Sequence, residues 1–306
     1  MNRVAVVNQK GGVGKTTTVA NLGAALARRG RRVLLVDLDP QANLTVHMGL
    51  DPNALERTVY HVLTGDATIS ETVRPASEEN IKIVPSQIDL ASAELELVSM
   101  MRREGLLWDA LSEHLADGAE YDDLLIDCPP SMGLLCINGL CSASHVLIPL
   151  QAEFFALQGV AKILEVVDLV AKRLQPGLQL SGVIPCRVNE RTKLAQEVLS
   201  EIQDFFGDRV WRTRIRRNVR LAEAPSHGAS IFAYDPDSNG AADFEALAEE
   251  YLERFCTEPE AGPADSPLDQ AESNGGLDPV EAPAVESPVV EPPAPLTGAP
   301  QPQSQS

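Results

Sequence analysis

The chain has 306 residues, of which 44% are hydrophobic and 4% aromatic. This composition excludes a collagen-like, disulfide-scaffold or wholly disordered protein, because it supplies enough apolar surface for a core and few cysteines. Acidic residues outnumber basic ones by 44 to 25, which gives a formal net charge of −19. No apolar run reaches the ~18 residues of a membrane-spanning helix, and the start, MNRVAVVNQKGG, lacks a signal-peptide core. We therefore expect a cytoplasmic protein.

Strands and helices alternate along the chain. The predicted strands are apolar runs rich in β-branched residues, which is typical of strands buried on both faces of a parallel sheet. In chain order they are residues 4–7, 33–36, 81–84, 124–126, 146–150 and 180–185. Helical spacing of apolar residues predicts helices over residues 15–29, 157–174, 192–206 and 241–255. The alternation predicts an α/β fold with a doubly wound, mostly parallel sheet and helices on both faces.

The composition changes sharply after residue 256. Residues 257–306 hold nine acidic residues, 11 of the 22 prolines, no lysine or arginine, and no aromatic residue. Such a segment buries too little apolar surface to offset the entropy of ordering, so we predict a disordered, acidic, proline-rich tail. Residues 1–256 show no internal repeat and no long linker, and we predict that they form one domain.

A cluster of arginines stands out in this acidic domain. Residues 209–220, RVWRTRIRRNVR, contain six arginines and no acidic residue. The cluster has two interpretations. It is either a solvated strand-turn face that pairs with nearby acidic residues, or a patch that contacts the phosphates of a nucleic acid.

The strongest chemical signal is NQKGGVGKTT, residues 8–17, between the first predicted strand and the first predicted helix. At this position a glycine-rich loop and a helix N-terminus can bind phosphate through backbone N–H groups. Lys15 is positioned to reach the β- and γ-phosphates of a nucleotide, and Thr16 to bind Mg²⁺. The usual GxxxxGK[ST] pattern starts with glycine, where this chain has Gln9, and Lys10 is an additional lysine. The predicted nucleotide-binding residues of the loop are Lys10, Gly11, Gly12, Val13, Gly14, Lys15, Thr16 and Thr17.

Four ordered segments resemble the ParA/MinD class of P-loop ATPases with a deviant Walker A loop, and within it the Soj-type ParA branch. They are KGGVGKTT in the loop, VDLDPQAN at residues 36–43, LIDCPPS at residues 125–131 and RNVRLAEAPSHG at residues 217–228. The resemblance covers about residues 1–255. It implies a weak, Mg²⁺-dependent, partner-stimulated ATPase of chromosome or plasmid partition. Because the sequence begins at the first strand, we expect no N-terminal helix-turn-helix of the kind that some plasmid ParA proteins carry.

The resemblance assigns roles to individual residues. Lys10 is similar to the family's signature lysine, which reaches across an ATP-bound homodimer to the partner's phosphates, where a cation stabilises the dimer and the transition state. Lys10, Lys15 and Asp39 are the predicted catalytic residues, with Asp39 positioning or activating the attacking water. Thr16 and Asp127 are predicted to hold Mg²⁺, Asp127 through a water molecule.

Three further residues are placed near the nucleotide by the same resemblance. Asp37 ends the second strand and is expected to support the following turn or the metal shell. Asn218 is predicted to contact the adenine base. Arg216 stands where the family usually has a proline that lines the base pocket, so this chain departs from the pattern there.

The resemblance also favours DNA binding by the arginine cluster. Arg191 and Arg220 match family arginines implicated in nonspecific binding of double-stranded DNA by the ATP dimer, and Arg216 and Arg217 are predicted to assist. We expect contacts to the DNA backbone that depend steeply on salt. A ParB-like centromere-binding protein is the expected stimulating partner, and the bacterial nucleoid the expected location. The acidic tail either solubilises the chain or competes with DNA for these arginines.

Other members of the same class fit the sequence less well. A membrane-bound MinD-type regulator needs a basic amphipathic helix at its C-terminus, where this chain is acidic and proline-rich. An iron–sulfur reductase needs a cluster cysteine upstream of the segment around Asp127, and the first cysteine here is Cys128. Two alternatives stay open. One is a ParA-like switch that positions another cargo or regulates replication initiation, and the other is a nucleotide-binding module without useful turnover.

Overall fold

The structure is a computed structural model that describes residues 1–153, 156–189 and 192–256. The predicted tail and Arg191 lie outside the described residues. Within the described residues, eight strands form one sheet. The strands are β1 (Asn2–Val6), β2 (Val33–Asp37), β3 (Arg74–Pro75), β4 (Ile81–Val84), β5 (Asp123–Asp127), β6 (His145–Gln151), β7 (Gln179–Val188) and β8 (Ile215–Arg216).

Helices connect most of these strands. The described α-helices are α1 (Lys15–Arg28), α2 (Asn43–His47), α3 (Val59–Thr64), α4 (Ile69–Thr72), α5 (Leu90–Leu97), α6 (Leu106–Ala116), α7 (Leu134–Ser142), α8 (Ala156–Arg173), α9 (Lys193–Phe206), α10 (Val219–Glu223), α11 (Ile231–Tyr234) and α12 (Asn239–Cys256). Short 3₁₀ turns occupy Pro52–Ala54, Gly207–Arg209 and Ala224–His227. No helix among the described residues is both long enough and apolar enough to cross a membrane.

The sheet is parallel except at one edge. Its strand order is β3-β4-β2-β5-β1-β6-β7-β8, and among the described strands only the β3–β4 pair is antiparallel. The register places Asp127 beside Val6 of β1 on one side and beside Asp37 of β2 on the other. Because parallel strands end at the same edge, the loops that follow β1, β2 and β5 meet there. This edge is where the predicted nucleotide site falls.

Two hydrophobic cores cover the two faces of the sheet. Successive side chains of a strand point to opposite faces. In β1, Val4 and Val6 pack in a core with α1 and α12, whereas Ala5 packs in a second core with α7 and α8. All three side chains are fully buried, as expected for a central parallel strand. The arrangement confirms the predicted doubly wound α/β fold with helices on both faces.

A buried histidine makes the stability of this fold depend on pH. His47 ends α2 and is fully buried, which lowers the pKa of its imidazole from 6.5 to about 4. The folded state therefore disfavours the protonated ring, so the contribution of His47 to stability is fully present above pH 6.5 and is lost as the pH drops from 6.5 towards 4. We expect this residue to remove about 2 kcal/mol from the free energy of unfolding between pH 7 and pH 5.

Urea unfolding of the wild type and of His47→Leu at both pH values checks this. The wild type should lose about 2 kcal/mol more than the variant on acidification, since other titrating groups are common to both. An equal loss in the two proteins would show that His47 is not the responsible group.

Candidate nucleotide-binding site

The glycine-rich loop joins β1 to α1. Gly12 and Gly14 have φ angles of 72° and 108°, in the left-handed region that glycine adopts at little cost. A Cβ atom added at Gly11 or Gly14 would meet no atom within 4 Å, so open space lies beside the loop. Gly14 caps α1 without a side-chain hydrogen bond, which leaves the N–H groups of the first turn able to bind an anion. The loop therefore has the shape of a phosphate cradle.

Three polar side chains converge behind the loop. Lys15 and Thr16 are the first residues of α1, and Lys15 is only 7% exposed. The Oγ1 of Thr16 donates a hydrogen bond to Oδ2 of Asp127 at 2.6 Å. Asp127 is fully buried at the end of β5, and its other oxygen, Oδ1, has no hydrogen-bond partner among the described residues. An unpartnered oxygen on a buried carboxylate is suited to bind an ion or a water molecule.

The electrostatics of Asp37 and Asp127 fit a divalent cation. Burial raises the pKa of Asp37 to about 7, and burial followed by the neighbouring charge of Asp37 raises the pKa of Asp127 well above its ordinary value. A cation would offset this penalty, and Mg²⁺ prefers oxygen ligands such as the Thr16 hydroxyl and the unpartnered Asp127 oxygen. In the described ranges, no group of three or more His, Cys, Asp or Glu side chains could hold a metal by itself. Nucleotide and water would therefore supply most of the ligands, as is usual for Mg²⁺.

Asp37 and Asp39 have different environments. Asp37 accepts hydrogen bonds from the backbone N–H and the hydroxyl of Thr45, both at 2.8 Å, and from the N–H of Asp39 at 3.1 Å. Asp39 is 9% exposed, its Oδ1 accepts from the N–H of Gln41 at 3.0 Å, and its carbonyl accepts from the Ser86 hydroxyl at 2.8 Å. Asp37 thus fixes the turn after β2, and this turn holds Asp39 near Asp127, whose pKa the charge of Asp39 helps to raise.

Lys10 lies on the outside of the loop. Its backbone N–H donates to Oδ1 of Asn8 at 2.9 Å, and the Asn8 side chain donates to the carbonyl of Pro149 at 2.7 Å. The ammonium group of Lys10 forms an ion pair with Glu153, and both side chains are about half exposed. In contrast to the buried Lys15, Lys10 therefore faces the solvent beside the site.

A cavity of about 320 Å³ continues from the loop towards β8. Asn218 lies in its wall, where its Oδ1 caps α10 by accepting from the N–H of Arg220 at 2.8 Å. Arg216 also lines the cavity and makes a two-pronged contact with Asp243 of α12, with N–O distances of 2.6 and 2.9 Å. Both residues border this cavity, which opens beside Gly12, Val13 and Gly14 of the loop. The contact between Asn218 and adenine stays a prediction.

The arginines predicted to bind DNA differ in their surroundings. Arg220 is 54% exposed and pairs with Glu223 at 2.9 Å and Asp235 at 3.2 Å. Arg217 is exposed, and within the described ranges its side chain has no ion pair or hydrogen bond. Arg216 is held by a buried carboxylate, which makes it the arginine of the three that is least able to reach a DNA phosphate. The pairing with nearby acidic residues therefore holds for Arg216 and Arg220, while contact of the cluster with DNA phosphates stays a prediction.

Several contacts of this site join residues that are far apart in sequence. Ser86 reaches Asp39 across 47 positions, and Glu153 reaches Lys10 across 143. Arg187, at the end of β7, donates from Nη1 to the carbonyl of Gly12 at 2.9 Å. Sequence reasoning missed these residues because no local pattern marks them.

The fold and the site define the class of protein. A glycine-rich loop between β1 and α1, a buried lysine, and a threonine–aspartate pair at the carboxyl edge of a parallel sheet are the parts of a P-loop nucleotide-binding protein.

Comparisons with known proteins narrow this class to a family. A family model described as an AAA domain matches residues 1–180. The chain is 47% identical over 247 residues to the sporulation initiation inhibitor protein Soj of Bacillus subtilis, covering 81% of this chain and 96% of that protein. It is 43% identical over 251 residues to the chromosome partitioning protein ParA of Myxococcus xanthus, covering 82% and 88%.

Solved structures agree with this. A Mycobacterium smegmatis structure described as cobyrinic acid a,c-diamide synthase with a bound ATP analogue and magnesium superposes with a TM-score of 0.73 at 39% identity, covering 84% of this chain and 97% of that one. The chain belongs to the Soj/ParA family of chromosome-partitioning ATPases. The family, the fold class and the ATP- and Mg²⁺-dependent ATPase class predicted from the sequence are confirmed.

Proposed function

We propose that this chain is an ATP-driven switch for DNA partition. ATP closes two copies into a homodimer, the dimer binds double-stranded DNA without sequence preference, and hydrolysis stimulated by a ParB-like protein releases it. Residues 1–256 form the ATPase domain of this switch, and its place of action is the bacterial nucleoid. Two observations support the proposal. One is the phosphate cradle beside the unpartnered Asp127 oxygen, and the other is the set of exposed basic residues that lie outside this cradle.

The residues of the cradle act on the triphosphate. Lys15 and the N–H groups of residues 11–17 bind its phosphates, and Thr16 and Asp127 hold Mg²⁺ at the end of β5. When bound, Mg²⁺ neutralises charge that develops on the phosphate oxygens. Asp39 orients the attacking water and accepts its proton, while Asp37 keeps the turn that carries Asp39 in place.

Lys10 is placed where it can contact a second copy of the chain. Its ammonium group is half exposed and pairs with Glu153, so it is not committed to the phosphates of its own chain. An exposed ion pair of this kind contributes only about 0–1 kcal/mol and is exchanged easily. A triphosphate on a second copy is a stronger partner for this cation, since charge-assisted contacts to phosphate are about twice as strong as neutral hydrogen bonds. Lys10 thereby links dimerisation to the γ-phosphate.

The proposed DNA-binding surface consists of exposed arginines at the start of α10. Arg217 precedes this helix, Arg220 lies in its first turn, and both are exposed. Each such cation that contacts a phosphate releases counterions, and a dimer presents two copies of the surface. A single copy has half of the contacts, which is why we assign DNA binding to the dimer.

DNA retention by the ATP-loaded and the ADP-loaded protein tests this function. We expect the ATP form to elute as a dimer and to retain duplex DNA, and the ADP form to elute as a monomer that does not. In the ATP form, Arg217→Ala or Arg220→Ala should lower the slope of log affinity against log salt by about one unit per lost contact. Arg102→Ala is the matched control, since Arg102 is 76% exposed and paired with Asp109 in another region.

Two results would contradict the proposal. One is equal DNA retention by the monomeric ADP form. The other is a salt slope that changes as much in Arg102→Ala as in Arg217→Ala. A purified ParB-like protein should raise the rate of phosphate release by the DNA-bound dimer, and the absence of any such partner effect would favour a cargo other than a ParB-bound centromere.

A further inference from the structure

Arg187 lies at an irregularity of the sheet. The pairing of β7 with β8 shifts register between Cys186 and Val188, so Arg187 is the extra residue of a bulge. Its φ angle is 53°, a left-handed conformation that is uncommon for residues other than glycine. Bulges next to active sites turn a side chain away from the direction that regular pairing would give it. Strain of this kind persists only where the surroundings fix the conformation.

The bulge directs the Arg187 side chain to the phosphate loop. Its Nη1 donates to the carbonyl of Gly12 at 2.9 Å, and the same atom lies 3.9 Å from the position that a Cβ of Gly12 would take. Gly12 has a φ angle of 72° and sits between two further glycines, at positions 11 and 14. Arg187 therefore ties the middle of the glycine-rich loop to β7, as Asn8 ties its start to β6.

We propose that Arg187 is a positioning residue that holds the glycine-rich loop in its phosphate-binding shape before nucleotide arrives. This rests on the nucleotide site of the proposed function, and it is independent of DNA. A loop with three glycines has many accessible conformations. The observed affinity of a site is reduced by the fraction of molecules in which the site is not formed, so a contact that raises this fraction raises affinity.

Loss of the Arg187 contact should affect the binding of ATP and ADP but not that of adenosine. ATP and ADP both need the cradle, so loss of the tether should weaken both equally. Adenosine has no phosphate and does not need the cradle, so its affinity should not change. A direct contact of Arg187 with the base or ribose would instead weaken all three ligands.

The test compares three variants with the wild type. Arg187→Met removes the donor and the charge at similar length, Arg187→Gly also removes the left-handed strain, and Arg187→Lys keeps the charge and one donor group. We expect about tenfold weaker binding of both ADP and ATP in the Met and Gly variants, and partial rescue by Lys. Hydrogen exchange without nucleotide should be faster at the amides of residues 10–14, while the melting temperature without nucleotide stays unchanged.

Three results would overturn the proposed role of Arg187. Wild-type affinity for ADP and ATP in Arg187→Met would overturn the proposal, and so would an equal loss of adenosine affinity. A loss of affinity that accompanies a lowered melting temperature in all three variants would show a general structural role and overturn it as well. If the wild type itself fails to bind ATP, the proposed function fails instead.

Discussion

Replacing Asp39 by alanine is expected to lower the rate of ATP hydrolysis by about 10²–10⁴-fold and to leave ATP binding intact. Asp39 is positioned by Asp37 and Ser86, and among the described residues it forms no hydrogen bond with Lys15 or Thr16. Without hydrolysis, the ATP dimer has no route back to the monomer. The variant should therefore form a long-lived dimer that stays on DNA.

Two further substitutions sharpen this result. Asp39→Asn removes the charge and the proton acceptor but can still accept the hydrogen bond from the N–H of Gln41, so it should lose hydrolysis as alanine does. Asp51→Ala is the matched control, since Asp51 accepts a similar bond from the N–H of Asn53 at 3.0 Å in an exposed turn. Phosphate release and the lifetime of the DNA-bound dimer are the measurements. Normal hydrolysis by Asp39→Asn would remove the proposed role of Asp39.

Much of the fold is written in local patterns of the sequence. Six apolar runs predicted β1, β2, β4, β5, β6 and β7, because strands buried on both faces need continuous apolar residues. The four predicted helices appear as α1, α8, α9 and α12 with ends that differ by up to two residues. The two-residue strands β3 and β8 were not predicted, because at that length the pairing comes from neighbouring strands and not from the strand's own residues.

In the candidate site, too, residues with a local sequence signal were predictable and long-range contacts were not. The loop residues were predictable from the sequence because a phosphate cradle needs glycines, a lysine and a threonine at fixed spacing in one short segment. Asp127 was predicted only through the resemblance of LIDCPPS to a segment of the family. The contacts of Glu153, Ser86 and Arg187 depend on which loops the sheet order brings to one edge, and this order is not visible locally. Pairing of the arginine cluster with acidic residues was one of its two interpretations, but the choice of Asp243 as the partner of Arg216 depends on the packing of α12 beside β8.

Replacing Lys10 by alanine should leave a protein that binds ATP as a monomer. The chain's own cradle keeps Lys15, Thr16 and the helix N-terminus, so the affinity for ATP should change by less than about threefold. Dimerisation should be lost, because the cation that would meet the second copy's phosphates is missing. By analogy with cations supplied in trans to phosphoryl transfer, stimulated hydrolysis should fall by about 10³–10⁵-fold. Sizing chromatography with ATP and ADP measures the first effect, and phosphate release measures the second.

Replacing Glu153, the ion-pair partner of Lys10, should have the opposite effect on dimerisation. Glu153→Gln removes the resting partner of Lys10 and leaves the lysine in place. Since an exposed pair contributes at most about 1 kcal/mol, the ATP dimer of this variant should be up to about fivefold tighter than that of the wild type. Lys162→Ala is the matched control for Lys10→Ala. Lys162 is also an exposed lysine, 62% exposed and paired with Glu165 at 3.1 Å. A Lys10→Ala protein that dimerises with ATP as the wild type does would show that another group joins the two copies. A Glu153→Gln protein that dimerises less well would show that Glu153 belongs to the joined interface and not to the resting monomer.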